Sequence, residues 1–379
     1  MLGATGSIGR STLDLVAHHP GRYEVVALTA NRDVDGLATA ARATDAGIAV
    51  IADETQLPAL RDALAGMRTR VAGGRAALLE AAAADADWTM AAIVGCAGLE
   101  PLMAAIARGG TIALANKEAL VSAGALVTDA AGRAGARLLP VDSEHNAIFQ
   151  CFDPERPERV SRIILTASGG PFRSATRARM ADATPAQAVS HPNWSMGAKI
   201  SVDSATLMNK GLELIEAAYL FPVPSARIEI VVHPESIVHS MVEYVDGSVL
   251  AQLGPSDMRV PIAHTLAWPD RMEAPVARLD FATLGNLSFQ APDIVRFPAL
   301  RLAREALDAG GAKPAILNAA NEVAVASFLD GRIGFLAIAA LVEKVLERFD
   351  PPSPQSIAGV LEVDRQARSH ADAAAKELS

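Results

Sequence analysis

Two carboxylates stand two residues apart near the middle of the chain. Asp142 and Glu144 directly follow the mainly apolar run at residues 137–140. In extended backbone both side chains would project to the same side at the end of a strand. Carboxylate oxygens are the ligands of hard divalent cations, so the pattern indicates a metal site. An acidic loop that caps a helix would contain the same residues, and the pair alone leaves both interpretations open.

A second polar cluster follows in residues 199–216, which we predict to be one helix that begins at Asp203 or Ser204. Asn209 and Glu213 are four residues apart and share one face of that helix. Lys210 lies beside them, and Ser204 would lie near the positive end of the helix dipole. This element therefore offers a further carboxylate, an amide, an ammonium and a hydroxyl. We expect Glu216 to be an exposed polar residue.

Glycines at positions 3, 6 and 9 introduce an apolar-periodic helix at the start of the chain. Backbone N–H groups of such a turn bind a pyrophosphate, provided that the turn lies between a strand and a helix. Only Met1 and Leu2 remain of the strand that should come first. We therefore expect that the natural chain begins several residues earlier, because a parallel strand in this position is normally central and buried.

Buried strands predicted at residues 23–29, 47–51, 90–94 and 111–115 alternate with helical stretches. This is the pattern of a doubly wound α/β domain. After the first of these strands the chain has Asn31, Arg32 and Asp33, with a guanidinium where NAD-binding domains carry an acid, which favours NADP. An ordinary exposed charge at Arg32 is equally compatible. Lys117 follows another strand and either steers a substrate oxygen or is a surface lysine.

The second half predicts an α+β domain with an open sheet. A strand at residues 160–166 runs into a glycine-rich loop suited to phosphate, and strands at 228–232, 236–244 and 248–253 include a hairpin. The segment 191–197, with Trp194, is either a lid or a fixed loop. His233, His239 and His264 could each be ligands, but without a clear ligand spacing core or surface histidines are the commoner case. Residues 268–292 are a connector, and helices at 299–309, 315–329, 334–348 and 364–378 predict a bundle that covers the site or forms a dimer contact.

Composition excludes several classes of protein. The 379 residues are half apolar, with a net charge of −9 and no basic run, which argues against a nucleic-acid or anionic-membrane surface. No apolar run approaches membrane-spanning length, and the first residues lack a basic segment followed by an apolar one, so we do not expect export. Cys96 and Cys151 lack a metal-binding spacing, so we expect free thiols in a reducing cytoplasm.

Eight sequence blocks in order make the chain resemble the 1-deoxy-D-xylulose 5-phosphate reductoisomerase family over nearly its whole length. They are GATGSIG (3–9), LANKE (114–118), LPVDSEHNAIF (139–149), SGGPFR (168–173), HPNWSMG (191–197), KISVDSAT (199–206), NKGLE (209–213) and LNAANE (317–322). The departure lies at the front, where most of the first strand is absent.

The resemblance implies an NADPH-dependent oxidoreductase of isoprene biosynthesis that converts 1-deoxy-D-xylulose 5-phosphate to 2-C-methyl-D-erythritol 4-phosphate with Mg²⁺, Mn²⁺ or Co²⁺. It implies a Rossmann-like NADPH domain at residues 1–141 and a central α+β catalytic and dimerisation domain at 142–267. A linker at 268–293 and a C-terminal α-helical domain at 294–379 follow. The resemblance further implies a cytoplasmic homodimer whose substrate is a small phosphorylated sugar. It implies neither nucleic acid nor membrane as a partner.

The resemblance also assigns roles to individual residues. The expected metal ligands are Asp142, Glu144 and Glu213, and Lys117 is expected near the substrate hydroxyls. The expected substrate contacts are Ser143, Ser168, His191, Ser204, Asn209 and Lys210, with Trp194 and Met196 in the closing loop. The expected cofactor contacts are Thr5, Gly6, Ser7, Ile8, Asn31, Arg32, Asp33, Asn116, Glu118 and Met258.

Two other functions compete with this one. The first is a metal-independent NADP-dependent dehydrogenase of another phosphorylated substrate, which chelation of metals would distinguish. The second is a regulatory NADP sensor, which would bind the cofactor without turnover. The sequence leaves open the preferred metal, the proton-transfer residue, the route of the rearrangement, the dimer interface and whether a chain with so short a first strand is active.

Overall fold

The computed structural model describes residues 1–194 and 196–378. The strands are β1 (Ala27–Ala30), β2 (Ile48–Ile51), β3 (Arg70–Gly73), β4 (Trp88–Ala91), β5 (Thr111–Leu114), β6 (Arg137–Pro140), β7 (Val160–Ala167), β8 (Ile228–Val232), β9 (Val238–Tyr244) and β10 (Val249–Leu253). The helices are α1 (Ser7–His18), α2 (Val34–Thr44), α3 (Leu57–Ala63), α4 (Gly74–Ala82), α5 (Leu99–Arg108), α6 (Lys117–Ala134), α7 (Ser143–Cys151), α8 (Arg177–Ala181), α9 (Pro185–Ala188), α10 (Ala198–Thr206), α11 (Met208–Leu220), α12 (Arg259–Ala267), α13 (Phe281–Leu284), α14 (Ala299–Ala309), α15 (Lys313–Leu329), α16 (Phe335–Arg348) and α17 (Ile357–Glu377).

The chain divides into two compact units. The first unit comprises Met1–Ala119, Val127–Asn146 and Asp257–Ala277, and the second comprises Leu120–Leu126, Ala147–Ser256 and Arg278–Ser379. Among the described residues, no helix combines the length and the apolar character needed to cross a membrane.

The first unit is built on parallel strands. One sheet has the order β1-β2-β3 and another the order β4-β5-β6. The segment at the start of the chain joins them, because Thr29 N donates to Met1 O (3.1 Å) on one side and Ala92 N donates to Leu2 O (3.0 Å) on the other. This is the doubly wound arrangement that the sequence predicts, with the short first segment in the central position.

Two details of the predicted sheet are wrong. Strand β3 (Arg70–Gly73) was not predicted, because none of its residues is fully buried and its apolar signal is correspondingly weak. Strand β1 begins at Ala27 rather than at residue 23, while all four of its residues are buried. Short strands buried on both faces carry no alternating pattern, so their boundaries are poorly marked in the sequence.

The second unit contains a mixed sheet of order β10-β9-β7-β8, in which β7 is parallel to β8 and antiparallel to β9. The predicted hairpin is present as β9 and β10. Helices α14 to α17 contribute to a large apolar core that includes Phe328, Phe335 and Leu341. Helix α17 begins at Ile357, seven residues before the predicted start, because Ser356 caps it by accepting from Gly359 N at 3.1 Å.

The predicted single helix at residues 199–216 is two helices. Leu207 adopts the left-handed conformation (φ 63°) between α10 and α11. Leu207 N donates to Ser204 O (3.2 Å), and Met208 N donates to the Thr206 hydroxyl (3.3 Å), so the break satisfies its own backbone groups. A left-handed leucine gives no signal in the sequence, since this conformation is normally taken by glycine or asparagine.

Candidate active site

The glycine turn of the first unit leaves the start of α1 open to an anion. Gly3 has φ +86°, and a Cβ atom there would lie 2.7 Å from Ala92 O. A Cβ on Gly9 would lie 2.4 Å from Gly3 O, so the turn requires glycine at both positions. Among the described residues no side chain caps α1 at Gly6. The N–H groups around Thr5, Gly6, Ser7 and Ile8 are therefore suited to a pyrophosphate.

The segment after β1 is exposed. Arg32 Nε donates to Asp53 Oδ2 at 2.8 Å, and the Arg32 side chain is 77 % exposed. Asp33 caps α2 by accepting from Gly36 N at 2.9 Å. Hydrogen bonds from Thr55 and then the Arg32 guanidinium hold the pKa of the Asp53 carboxyl below its usual range. Arg32 and its neighbour Asn31 therefore lie at the carboxyl edge of the sheet, where Arg32 already pairs with the Asp53 carboxylate.

Asn116 connects two loops at the carboxyl ends of β4 and β5. Its Nδ2 donates to Gly95 O at 3.1 Å, and its Oδ1 accepts from Ala119 N at 3.2 Å, which caps α6. Glu118 is buried in the first turn of that helix. Ile8 and Met258 pack against one shared apolar cluster of the first unit. The structure thus places these predicted cofactor residues on a common framework.

Lys117 is buried, so its interpretation as a surface lysine is wrong. Its Nζ lies 2.5 Å from Asp142 Oδ2, and the two side chains are only 9 % and 13 % exposed. Burial is tolerated because the opposite charge replaces water around the ammonium. The predicted hydroxyl-steering residue and a predicted metal ligand are therefore direct partners.

Asp142 and Glu144 lie at the start of a helix, as in the capping interpretation, and not in the extended backbone that the first interpretation assumed. Helix α7 begins at Ser143, and Asp142 Oδ1 accepts from Glu144 N at 3.3 Å while Asp142 O accepts from Asn146 N at 2.8 Å. Capping of these N–H groups by aspartate favours the helical start over a continued strand. Ser143 Oγ donates to Glu144 Oε2 at 2.5 Å. The carboxylates thus stand at a helix N-terminus.

In the second unit, α11 presents the predicted set on one helix. Glu213 Oε1 accepts from Asn209 Nδ2 at 2.5 Å, and Glu213 Oε2 accepts from the Lys210 ammonium. Lys210 and Glu213 are both buried. Glu216 is 1 % exposed, which corrects the expectation that it is an exposed polar residue. Most residues of α11 from Met208 to Ala217 are buried, the charged Lys210, Glu213 and Glu216 among them.

Ser168 and His191 form a second polar pair. His191 Nδ1 accepts from Asn193 N (3.2 Å) and Trp194 N (2.9 Å), so Nε2 carries the hydrogen and donates to Ser168 Oγ at 2.8 Å. Burial lowers the pKa of His191, which favours this neutral form. Ser168 Oγ also accepts from Gly170 N at 3.2 Å. The Ser168 hydroxyl hydrogen can therefore be donated to an anionic oxygen.

Ser204 lies beside the pair of Ser168 and His191, but it is not at the positive end of a helix dipole, where it was expected. It is near the C-terminal end of α10, not the positive end, because the helix begins at Ala198. Gly170 (φ +65°) packs so closely that a Cβ there would lie 2.6 Å from Ser204 O. The structure therefore brings the glycine-rich loop and Ser204 together. The Trp194 ring lies 6.1 Å from that of His239, while Ser195 of the same segment lies outside the described residues.

His233 has a structural role. Its Nε2 accepts from Ile237 N and Val238 N at 3.1 Å each, and its ring stacks on Phe289. The sequence offered Asp203 only as a possible helix start and gave Asn321 no role, although their side chains meet at 2.7 Å in the buried interior beside Ser204. The only available signal was the occurrence of both residues in the recognised sequence blocks.

A parallel sheet, an uncapped helix N-terminus behind a glycine turn and buried carboxylate–ammonium pairs define a class of protein. They are the features of a dinucleotide-binding protein with buried acidic residues.

Comparison with known proteins gives the family. Residues 1–124 match 1-deoxy-D-xylulose 5-phosphate reductoisomerase, residues 138–221 match its C-terminal domain family, and residues 253–370 match the DXP reductoisomerase C-terminal domain. The 1-deoxy-D-xylulose 5-phosphate reductoisomerase of Zymomonas mobilis is 60 % identical over 378 residues, covering 100 % of this chain and 97 % of that protein. The enzyme of Rhodospirillum centenum is 59 % identical over 371 residues, covering 98 % and 92 %. The chain belongs to the 1-deoxy-D-xylulose 5-phosphate reductoisomerase family.

Solved structures of reductoisomerases have the same fold as this chain. The Z. mobilis reductoisomerase in complex with NADPH has a TM-score of 0.96 at 59 % identity, covering 100 % of this chain and 98 % of that one. A DOX-P reductoisomerase in complex with NADPH, fosmidomycin and magnesium has a TM-score of 0.94 at 43 % identity, with the same coverage. The family, the fold class and the oxidoreductase assignment drawn from the sequence are confirmed.

Proposed function

We propose that this chain catalyses the NADPH- and divalent-metal-dependent rearrangement and reduction of 1-deoxy-D-xylulose 5-phosphate to 2-C-methyl-D-erythritol 4-phosphate. The observation that carries the proposal is family membership over the whole chain, together with the close match to a reductoisomerase bound to NADPH. The site residues described above have the chemistry that this reaction needs.

The first unit fits NADPH. The uncapped start of α1 offers N–H groups to a pyrophosphate, and both Gly3 and Gly9 occupy positions that a Cβ would fill. Thr5, Gly6, Ser7 and Ile8 would contact the phosphates, Asn31, Arg32 and Asp33 the adenosine end, and Asn116, Glu118 and Met258 the remainder of the cofactor. When bound, NADPH supplies the hydride.

Three carboxylates fit a hard divalent ion such as Mg²⁺, Mn²⁺ or Co²⁺. We assign the ligand role to Asp142, Glu144 and Glu213. A bound ion would act as a Lewis acid on the substrate carbonyl and hydroxyl oxygens. The chain itself pairs Asp142 with Lys117 and Glu213 with Lys210, which limits the repulsion within an acidic site.

The remaining polar residues would hold the substrate. We place the phosphate on Ser168, His191, Ser204, Asn209 and Lys210, and the hydroxyls near Lys117 and Ser143. Neutral His191 orients the Ser168 hydroxyl, and Lys210 supplies positive charge. Anchoring the phosphate far from the reacting carbons orients them for reaction. Trp194 would close over the bound substrate and exclude water.

We further propose a cytoplasmic homodimer with the domain limits that the sequence suggests, at residues 1–141, 142–267 and 294–379. Strand β10 lies at a sheet edge, and Val249 and Leu250 are exposed on it. An apolar edge of this kind favours pairing with a second copy of the chain. Leu250→Asp should yield monomers in light scattering, whereas Ser248→Asp in the neighbouring turn should leave dimers.

The free thiols of Cys96 and Cys151 support a reducing compartment.

The activity is tested by following NADPH absorbance with 1-deoxy-D-xylulose 5-phosphate after stringent chelation and after adding back each metal. Metal-dependent oxidation with formation of 2-C-methyl-D-erythritol 4-phosphate, identified by mass spectrometry, is the expected result. Oxidation that persists fully after chelation would favour the metal-independent dehydrogenase instead. Tight NADPH binding without any turnover would favour a sensor.

A further inference from the structure

A buried carboxylate holds α10 in place. Asp203 is 1 % exposed, its Oδ1 accepts from Asn321 Nδ2 at 2.7 Å, and its Oδ2 lies 2.9 Å from Lys199 Nζ. A carboxylate removed from water is costly unless hydrogen bonds and opposite charge replace its hydration. Asn321, itself fully buried, supplies one of these two replacements.

Asp203 precedes a residue of the proposed phosphate site. Ser204 is the next residue on α10, and Gly170 packs so tightly that a Cβ there would lie 2.6 Å from Ser204 O and 3.0 Å from Ala205 Cα. The loop that contains Ser168 therefore rests on the same turn of α10. A small displacement of Asp203 would move the hydroxyls of Ser168 and Ser204 together, because close-packed backbones have no room to adjust independently.

The donor to Asp203 is itself fixed. Asn321 lies in α15, and its neighbour Glu322 accepts from Arg368 of α17 at 2.6 Å. Arg368 also donates to Asp364 at 2.7 Å. Arginine held by two carboxylates is a rigid connection, since its planar group fixes the direction of each hydrogen bond. Helix α15 is thus a firm support for the Asn321 amide.

We propose that Asn321 is a positioning residue for the phosphate end of the substrate. It holds Asp203, and through α10 it sets the positions of Ser204 and of the Ser168–Gly170 loop. This inference rests on the proposed function. It assigns to the C-terminal helices a role in substrate affinity that does not involve contact with substrate.

The test compares Asn321→Leu with the control Ser327→Ala. Ser327 is equally buried on the same helix, but it lies six positions from Asn321 and is not part of the Glu322–Arg368 connection. Loss of a hydrogen bond to a charged group should raise KM for 1-deoxy-D-xylulose 5-phosphate roughly tenfold in Asn321→Leu, with a smaller fall in kcat. The NADPH Kd should stay unchanged. The control should keep the KM of the wild type.

A charge swap gives a second readout. Asn321→Asp places a carboxylate against Asp203 and should raise KM, whereas Asp203→Asn combined with Asn321→Asp restores a donor and an acceptor and should recover most of the lost affinity. An unchanged KM in a folded Asn321→Leu variant, an equal rise in the control, or no recovery in the swap would overturn the inference. Absence of turnover in the wild type would refute the proposed function instead.

Discussion

Replacement of Glu213 by glutamine removes one negative charge from α11 at constant side-chain size. Glu213 Oε1 accepts from Asn209 Nδ2 at 2.5 Å, and Oε2 accepts from the Lys210 ammonium, with both ionic groups buried. The substitution therefore removes a proposed metal ligand and also deprives Lys210 of a counter-charge. Loss of the ligand lowers the stabilisation by Mg²⁺, whereas loss of the counter-charge lowers stability even without metal, so the two effects can be separated.

The structure sets the expected magnitudes. Removal of one partner of a buried ion pair costs about 3–5 kcal/mol, and we expect about 3 kcal/mol because the glutamine oxygen can still accept a hydrogen bond. A ligand at a hundred times its Kd stabilises the native state by about 2.7 kcal/mol. Mg²⁺ at about a hundred times its Kd should therefore raise the free energy of unfolding of the wild type by about 2.7 kcal/mol. Glu213→Gln should gain little.

Urea unfolding with and without Mg²⁺ measures both effects, and NADPH oxidation measures turnover. Glu305→Gln is the control, because Glu305 is a carboxylate on α14 that pairs with Arg301 and is not one of the proposed ligands, and it should keep the response to Mg²⁺. Lys210→Met combined with Glu213→Gln removes both charges of the pair. It should recover stability in the absence of metal without recovering the Mg²⁺ response.

Glu213 is not a metal ligand if Mg²⁺ stabilises Glu213→Gln as much as the wild type and the variant retains metal-dependent turnover. A variant that loses NADPH binding as well would show that the substitution disturbs more than the metal site. Retained NADPH binding with lost turnover is the expected combination.

Three further predictions concern other parts of the chain. Burial and then Arg271 lower the pKa of His264 to about 4. The folded state therefore disfavours its protonated form, and the free energy of unfolding should fall by up to roughly 3 kcal/mol as pH drops from about 6.5 to about 4. Urea titrations of His264→Gln should show a flatter pH dependence, and an unchanged slope would contradict this. A Cβ in Gly98→Ala would lie 2.3 Å from Asn116 Nδ2 and should weaken NADPH binding severalfold, which fluorescence titration measures. Trp194 fluorescence should change when substrate joins the NADPH complex, and a flat titration would count against a closing loop.

Local patterns in the sequence predicted much of the fold. The glycine turn and the β9–β10 hairpin depend on a few adjacent residues, and both are present in the structure. The turn glycines act over three or four positions, so their signal is contained in a short window. The recognised sequence blocks identified the family for the same reason.

The sequence also supplied the types of the site residues but not their surroundings. It offered Lys117 as either a surface residue or a substrate contact, and it treated Glu216 as exposed. Both are buried, and Lys117 is paired with Asp142. Burial depends on which elements pack around a helix, and periodicity alone does not say how many of its faces are covered.

The sequence by itself determined the class of fold and the family, and it offered candidate residues for the cofactor, the metal and the phosphate. The tertiary structure decided the break at Leu207 and the hydrogen bond between Asn321 and Asp203, which are 118 positions apart in the chain. Contacts of that kind arise only when distant segments pack together. A left-handed leucine likewise persists only because the surrounding structure stabilises a conformation that its own side chain disfavours.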